Sequence, residues 1–265
     1  MRSHEICKPM DNTLLQKQMN KSYYIASCVF TNRFPELSEQ IQEYIRERHN
    51  MEIVRCCVPK YRIKQFEEQM PEGYRDDWKA LPDTGDFASG DTVYSLCHNC
   101  SAIIEETKPG VTVRSLWELI LSDSEFRYPD YGHQKMIIQD CWRAKDRRTE
   151  QEAVRELLNR LNIDVVEQED NYEKTDFCGN SLFRPAPVRN LKLAPHRFVE
   201  NAQGKFGDYT LEEQREIMQE YCKRFQANKV LVYCHYCLEG LKLGGADGVH
   251  IASLLFENTN IWDKR

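Results

Sequence analysis

Two stretches of this chain repeat one another: "VYSLCHNC" at residues 93–100 and "LVYCHYC" at 231–237. Each is a β-type apolar run that enters a Cys-His-x-Cys motif and continues into a helical pattern, "SAIIEE" in one case and "LEGLKLG" in the other. A cysteine pair at a strand-to-helix turn, met twice, restricts the fold more than any other feature. It implies duplicated units whose strand ends gather the same chemical groups.

The order around the motifs repeats as well. "SYYIASCV" (22–29) reads as a strand ending at Cys28, and "MEIVRCC" as a strand ending at Cys56 and Cys57. Between them, "PELSEQIQEYIRERHN" reads as a helix, with Pro35 in its first turn and Leu37, Ile41, Tyr44 and Ile45 on one face. Residues 60–90, charged and holding Pro71 and Pro82, read as a weak helix followed by a loop, and "VTVRSLWELIL" (111–121) as a second short helix. The second half begins with "QKMIIQDC" (134–141), a strand ending at Cys141. "RRTEQEAVRELLNRLN" is a helix pattern with a capping box at Thr149 and Glu152. "IDVVEQ" is a strand, "DFCGN" a turn bearing Cys178, and "FRPAPVRNLKLAPHRF" a Pro-rich linker. "YTLEEQREIMQEYCKRF" is a helix with a box at Thr210 and Glu213, and "GVHIASLLFE" (248–257) closes the pattern. Alternating strands and helices give an α/β class: two similar lobes from an internal duplication, each a small, mainly parallel sheet flanked by helices. The expected division is a lead-in over 1–21, a first lobe over 22–130 and a second over 131–265, with the boundary near "SEFRYPDYGH".

Eleven cysteines is a high number for a chain of 265 residues with this pattern. The net charge of -6 argues against nucleic acid as partner, since phosphate binding needs a positive surface. No apolar run has the length of a membrane span, and "MRSHEICKPMDNTLLQKQMN" lacks a signal-type apolar segment. A cytoplasmic protein is the expectation. There, clustered thiols serve metals or catalysis more often than disulfides.

A CxxC at a strand-to-helix turn can be a redox dithiol, half of a zinc site or part of an iron–sulfur site. The two copies lie too far apart in the chain for one zinc ribbon, so one site per half is expected. The first half offers Cys28, Cys56, Cys57, Cys97 and Cys100; the second offers Cys141, Cys178, Cys234 and Cys237. Adjacent side chains on a strand face opposite ways, so packing accounts for only one of Cys56 and Cys57. A tetrahedral ion takes four ligands. A fifth thiolate has a use where several irons each need a terminal ligand. The second half has Phe177 where the first has Cys56, leaving four thiols that suit a zinc ion or a four-thiolate cluster. Cys222, on an amphipathic helix, reads as a buried inert thiol, and Cys7 has no assigned role. His98 and His235 can hydrogen-bond sulfurs or deliver protons near neutral pH. Arg55 and Lys60 flank the double cysteine and read as solvated charge, with attraction of an anionic substrate as the alternative.

This arrangement, C…CC…CxxC repeated as C…CG…CxxC, resembles the cysteine-rich CCG domain. That domain occurs in the disulfide-cleaving subunit of heterodisulfide reductase and in related subunits of glycolate, lactate, glycerol-3-phosphate and succinate:quinone oxidoreductases. The likeness covers nearly all of residues 22–257, and "QDCWRAKDRRTEQEAVRELLNRL" looks like the opening of the family's second repeat. The resemblance implies a non-cubane [4Fe-4S] cluster on Cys28, Cys56, Cys57, Cys97 and Cys100. It implies a second [4Fe-4S] cluster or a zinc ion on Cys141, Cys178, Cys234 and Cys237. Cys56, Cys57 and His98 become the candidate catalytic residues of a disulfide reductase acting on a small thiol or disulfide substrate. Two positions depart from the family pattern: Val58 stands where glycine is usual, and Phe177 removes one thiolate. No CxxCxxCxxxC run and no GxGxxG after a strand is present, so electrons are expected from an iron–sulfur or flavin partner subunit. The alternatives are a non-catalytic electron-transfer or metal-binding subunit of a larger oxidoreductase complex, and a metal-free thiol oxidoreductase.

Overall fold

Eight short strands, rich in Val, Ile and Tyr, form two separate sheets in the computed structural model, which describes residues 20–58, 61–82, 87–226 and 228–256. The first sheet contains β1 (Ser22–Ile25), β2 (Glu52–Val54), β3 (Thr92–Ser95) and β4 (Thr112–Ser115), in the order β2-β1-β3-β4. The second contains β5 (Gln134–Ile138), β6 (Ile163–Val166), β7 (Val230–Val232) and β8 (Gly248–His250), in the order β6-β5-β7-β8. Every pairing is parallel, and the two strand orders are the same. The protein is thus α/β, with two similar four-stranded lobes flanked by helices.

Parallel strands return through helices, so each lobe's inner strands are covered on both faces and read as continuous apolar runs. Ile25, Val54 and Val93 are fully buried in one sheet, and Ile138, Val230 and Val232 in the other. Register brings the carboxyl ends level: Ile25 lies opposite both Val54 and Ser95, and Ser95 opposite Ser115. The chain leaves all of these strands at one edge, where ligand sites form in open parallel sheets.

Helices α1 (Cys28–Arg33) and α2 (Pro35–Arg48) connect β1 to β2. The stretch expected as a weak helix and loop holds two helices, α3 (Ile63–Gln69) and α4 (Glu72–Ala80). Pro71 separates them: it forces Met70 into an extended conformation, with ψ 142°, and then starts the next helix. Helix α5 (His98–Thr107) follows β3. The expected single helix over 111–121 is instead strand β4 followed by α6 (Leu116–Ser122). Ser115 ends the strand and caps the helix, in a box with Glu118 that the reading of that segment as one helix missed.

In the second lobe α7 (Arg148–Arg160) begins without the expected Thr149 box. Arg147 occupies the cap position, and Glu152 pairs with Arg148 at 2.7 Å instead. The Pro-rich linker contains α8 (Val188–Leu193) and a π turn over His196–Glu200. Helix α9 (Leu211–Cys222) has the expected Thr210–Glu213 box, and α10 (His235–Leu243) and α11 (Ile251–Phe256) flank β8. The lobes meet along α2 and α11, where Tyr44 and Phe256 lie edge-to-face at 5.8 Å, and along α5 and α7, where Arg147 pairs with Glu105. No helix among the described residues is long and apolar enough to cross a membrane.

Candidate metal centres

Four sulfurs of the second lobe converge: Cys141, Cys178, Cys234 and Cys237 lie within 4.8 Å of one another, all buried. Each arrives from a different local device. Asp140 fixes the turn before Cys141: its carboxylate accepts from Arg155 at 2.9 Å, from the Tyr172 amide at 2.8 Å and from the Tyr233 hydroxyl at 2.8 Å. Cys178 sits in a turn that needs Gly179. That residue has φ +58°, and a Cβ there would stand 2.1 Å from the Tyr236 carbonyl. Gly240 on the facing side of α10 allows the same close approach. Cys234 is the cap residue of α10 and Cys237 lies in its first turn, so both sulfurs sit at the positive end of the helix.

The cluster holds negative charge. Burial raises the Cys178 and Cys234 thiols, but hydrogen bonds among the four sulfurs reverse this and draw both below the ordinary thiol range. Cys141 and Cys237 are pushed up, first by burial and then by their neighbours. The Arg143 guanidinium, 3% exposed, answers that charge: Nη1 donates to Cys178 Sγ and to Ser181 Oγ at 2.9 Å, and Nε donates to Asn99 Oδ1 of the first lobe at 3.0 Å. Four thiolates around an ion with bonds of ~2.3 Å would place sulfurs ~3.8 Å apart in a tetrahedron. Cys141 and Cys178 are 3.4 Å apart, so the set fits a metal ion. A cleft of about 310 Å³ reaches Phe177 and the Cys178 turn, yet Cys178 itself has no exposed surface.

The first lobe's five cysteines also meet, in a different shape. Cys28 neighbours Cys56, Cys56 neighbours Cys57, Cys57 neighbours Cys100 and Cys100 neighbours Cys97, each near enough to shift the other's ionisation. All five are at most 5% exposed. Among the described residues no three of them gather as the second lobe's four do. The opposite-faces argument for Cys56 and Cys57 does not apply, because β2 ends at Val54 and the chain is already turning. Ser95 Oγ accepts from the Cys97 amide at 3.0 Å and so sets the cap of α5. Cys56 is drawn down to about 3 by hydrogen bonds from Cys28 and Cys57 and by the Val58 amide at 3.5 Å. Cys28 and Cys100 are pushed up, each mainly by a neighbouring sulfur. Val58, the counterpart of Gly179, is not in the left-handed region.

One residue invisible to the sequence reading completes this site. Arg189 of α8, inside the Pro-rich linker, stacks on Tyr61 at 4.1 Å and bonds Asn190 Oδ1 through Nε and Nη2. Its Nη1 is buried without a hydrogen-bond partner, and the charges of Cys57, Cys100 and Cys28 hold the guanidinium protonated against its burial. Arg55, expected as solvated charge, is instead tied to Glu67 at 3.7 Å and to the Lys79 carbonyl at 3.2 Å. His98 is buried, and its Nε2 meets Glu150 Oε1 at 3.0 Å. Cys222 packs at the far end of α10, its sulfur 3.8 Å from the Leu241 carbonyl and away from the four-cysteine set. Cys7 and Lys60 lie outside the described residues. No model of a known protein family matches the chain, and no curated protein matches it.

Proposed function

We propose that the chain is a disulfide-reducing iron–sulfur protein of the heterodisulfide reductase type, in which the two lobes hold different metals. In this reading Cys28, Cys56, Cys57, Cys97 and Cys100 hold a non-cubane [4Fe-4S] cluster. Cys141, Cys178, Cys234 and Cys237 hold one tetrahedral ion, zinc by its preference for closed thiolate sites. The observation that carries the reading is the set of five buried, neighbouring cysteines, not gathered as compactly as the second lobe's four and one thiolate more than a tetrahedral ion takes.

When bound, such a cluster would supply one-electron chemistry suited to a disulfide. The overall change adds two electrons and two protons to one S–S bond and gives two thiols. The chain's own residues do the remaining work. Burial of the five cysteines keeps water from the thiolates. Arg189 Nη1 supplies an unpaired cationic donor where an anionic substrate group can dock. The electrons come from a partner, an iron–sulfur or flavin subunit.

The burial of all five cysteines also favours a second reading, a metal-binding electron-transfer subunit without turnover of its own. Anaerobic purification followed by iron, sulfide and zinc analysis, EPR, and reduced-viologen assays with small disulfides separates the two. About four irons for a single cluster, together with disulfide turnover, support the reductase. The same irons without turnover support the second reading, and an iron-free protein removes both.

A further inference from the structure

The two Cys-His-x-Cys turns do not serve only their own lobes. His98, which follows Cys97 in the first lobe, reaches into the second: its Nε2 bonds Glu150 on α7, its ring stands edge-on to Tyr233, the residue before Cys234, at 5.7 Å, and its Nδ1 is buried without a hydrogen-bond partner among the described residues. The next residue, Asn99, accepts from Arg143, the arginine that holds Cys178. The reverse crossing comes from His235, which follows Cys234 in the second lobe and opens α10: the first turns of that helix meet the first lobe at Arg33, which lies over the Tyr236 ring at 5.7 Å and pairs with Glu239, and the charge of Cys97 acts on the imidazole. His235 is 2% exposed, and neither ring nitrogen has a hydrogen-bond partner among the described residues.

A neutral imidazole always carries one N–H. Leaving that donor buried and unpaired is costly, so such a group calls for an explanation. A donor beside a ligand cysteine has one available: its acceptor is a sulfur of the group that the cysteines hold.

We infer that the histidines are exchanged between the lobes: His235 is the hydrogen-bond donor to the iron–sulfur group of the first lobe, and His98 is the donor to the Cys234 thiolate of the second centre. The inference rests on the reading of the first lobe as an iron–sulfur site. Both are positioning residues that act through sulfur. Donors to thiolate and sulfide stabilise the electron-rich form and raise the reduction potential. Each centre is then complete only while the lobes are docked.

The test uses the full chain, with the second centre loaded with Co²⁺ so that its thiolate charge-transfer band reports Cys234. EPR and a redox titration report the first. H235L is expected to lower the midpoint potential and alter the EPR signal of the first-lobe iron while leaving the cobalt band in place. H98L is expected to shift the cobalt band and leave the EPR signal. H235Q and H98Q, which keep an N–H donor, return each signal toward wild type. Should the leucine variants fail to fold, H98N and H235N, whose shorter amides draw the donor back from the opposite lobe, are read for the same crossed pattern. Perturbation of each variant's own lobe, of both centres alike, or of neither overturns the exchange while leaving the function intact. An iron-free first lobe in the wild type overturns both.

Discussion

Phe177 lies flat against Tyr221, with ring centroids 4.5 Å apart and planes 12° from parallel. In the first lobe the corresponding position is Cys56. The second lobe has therefore exchanged its fifth sulfur for an aromatic stack that walls the Cys178 turn. Phe177→Ala should cost about 3 kcal/mol, the usual loss for a large buried aromatic, read by chemical denaturation. Metal content at the second centre should not change. Loss of the ion in that variant would show that the ring supports coordination and does more than pack.

The two lobes should lose metal independently. Cys57 neighbours both Cys56 and Cys100, so Cys57→Ala should empty the first lobe of iron and sulfide and keep the second-lobe ion. Cys222, against the Leu241 carbonyl, is the control, and Cys222→Ala should leave both metals in full amount. Element analysis of the two variants decides the point. Retention of all iron with an unchanged spectrum in Cys57→Ala would remove the role given to the doubled cysteine.

What the sequence made legible was the part encoded locally. The strand–CHxC–helix repeat placed Cys97, Cys100, Cys234 and Cys237 at two helix starts, and the Thr210–Glu213 box marked where α9 begins. The Thr149 pattern failed because the 3-10 turn over Trp142–Ala144 leads the chain into α7 two residues early. Strand β4 was hidden because only four residues, Thr112–Ser115, precede the stronger helical pattern of α6. The charges around the metals were beyond local reading altogether. Arg143, Arg189 and Glu150 look like any surface charge in sequence. The 3-10 turn after Cys141 brings Arg143 to Cys178, the docking of the lobes brings Glu150 to His98, and the path of α8 brings Arg189 to the first-lobe cysteines.

Arg189 gives the substrate prediction. Its stack on Tyr61 and its bonds to Asn190 fix the guanidinium plane and leave Nη1 without a partner, in a group on which the charges of Cys57, Cys100 and Cys28 act. Hydrogen bonds to a charged partner are worth about 1.5–3 kcal/mol, so Arg189→Met should raise KM for the dianion 3,3′-dithiodipropionate by roughly ten- to a hundred-fold. The neutral bis(2-hydroxyethyl) disulfide should be little affected. Equal losses for both compounds would assign Arg189 to the cluster's charge balance and not to the substrate.

Acid stability should depend on His250. Its Nδ1 accepts from the Ala252 amide at 3.2 Å, which caps α11, and its ring is enclosed by Phe30, Phe34 and Trp117. Burial, followed by the nearby charge of His235, lowers its pKa to about 3, against ~6.5 for a solvated imidazole. The sign follows from which state takes the proton. Below pH ~6.5 the unfolded chain binds one that the folded protein refuses until about pH 3, so stability is intact above that window and falls as the pH drops through it. At about 1.4 kcal/mol per pH unit, lowering the pH from roughly 7 to 5 should cost wild type about 2 kcal/mol through this residue. His250→Asn keeps a capping acceptor but does not titrate. The stability difference between wild type and variant should therefore move against wild type by that amount over the same interval. Metal lost to acid affects both proteins alike and cancels in the difference. Parallel curves in denaturant titrations at the two pH values would show that His250 gains its proton without opposition from the fold.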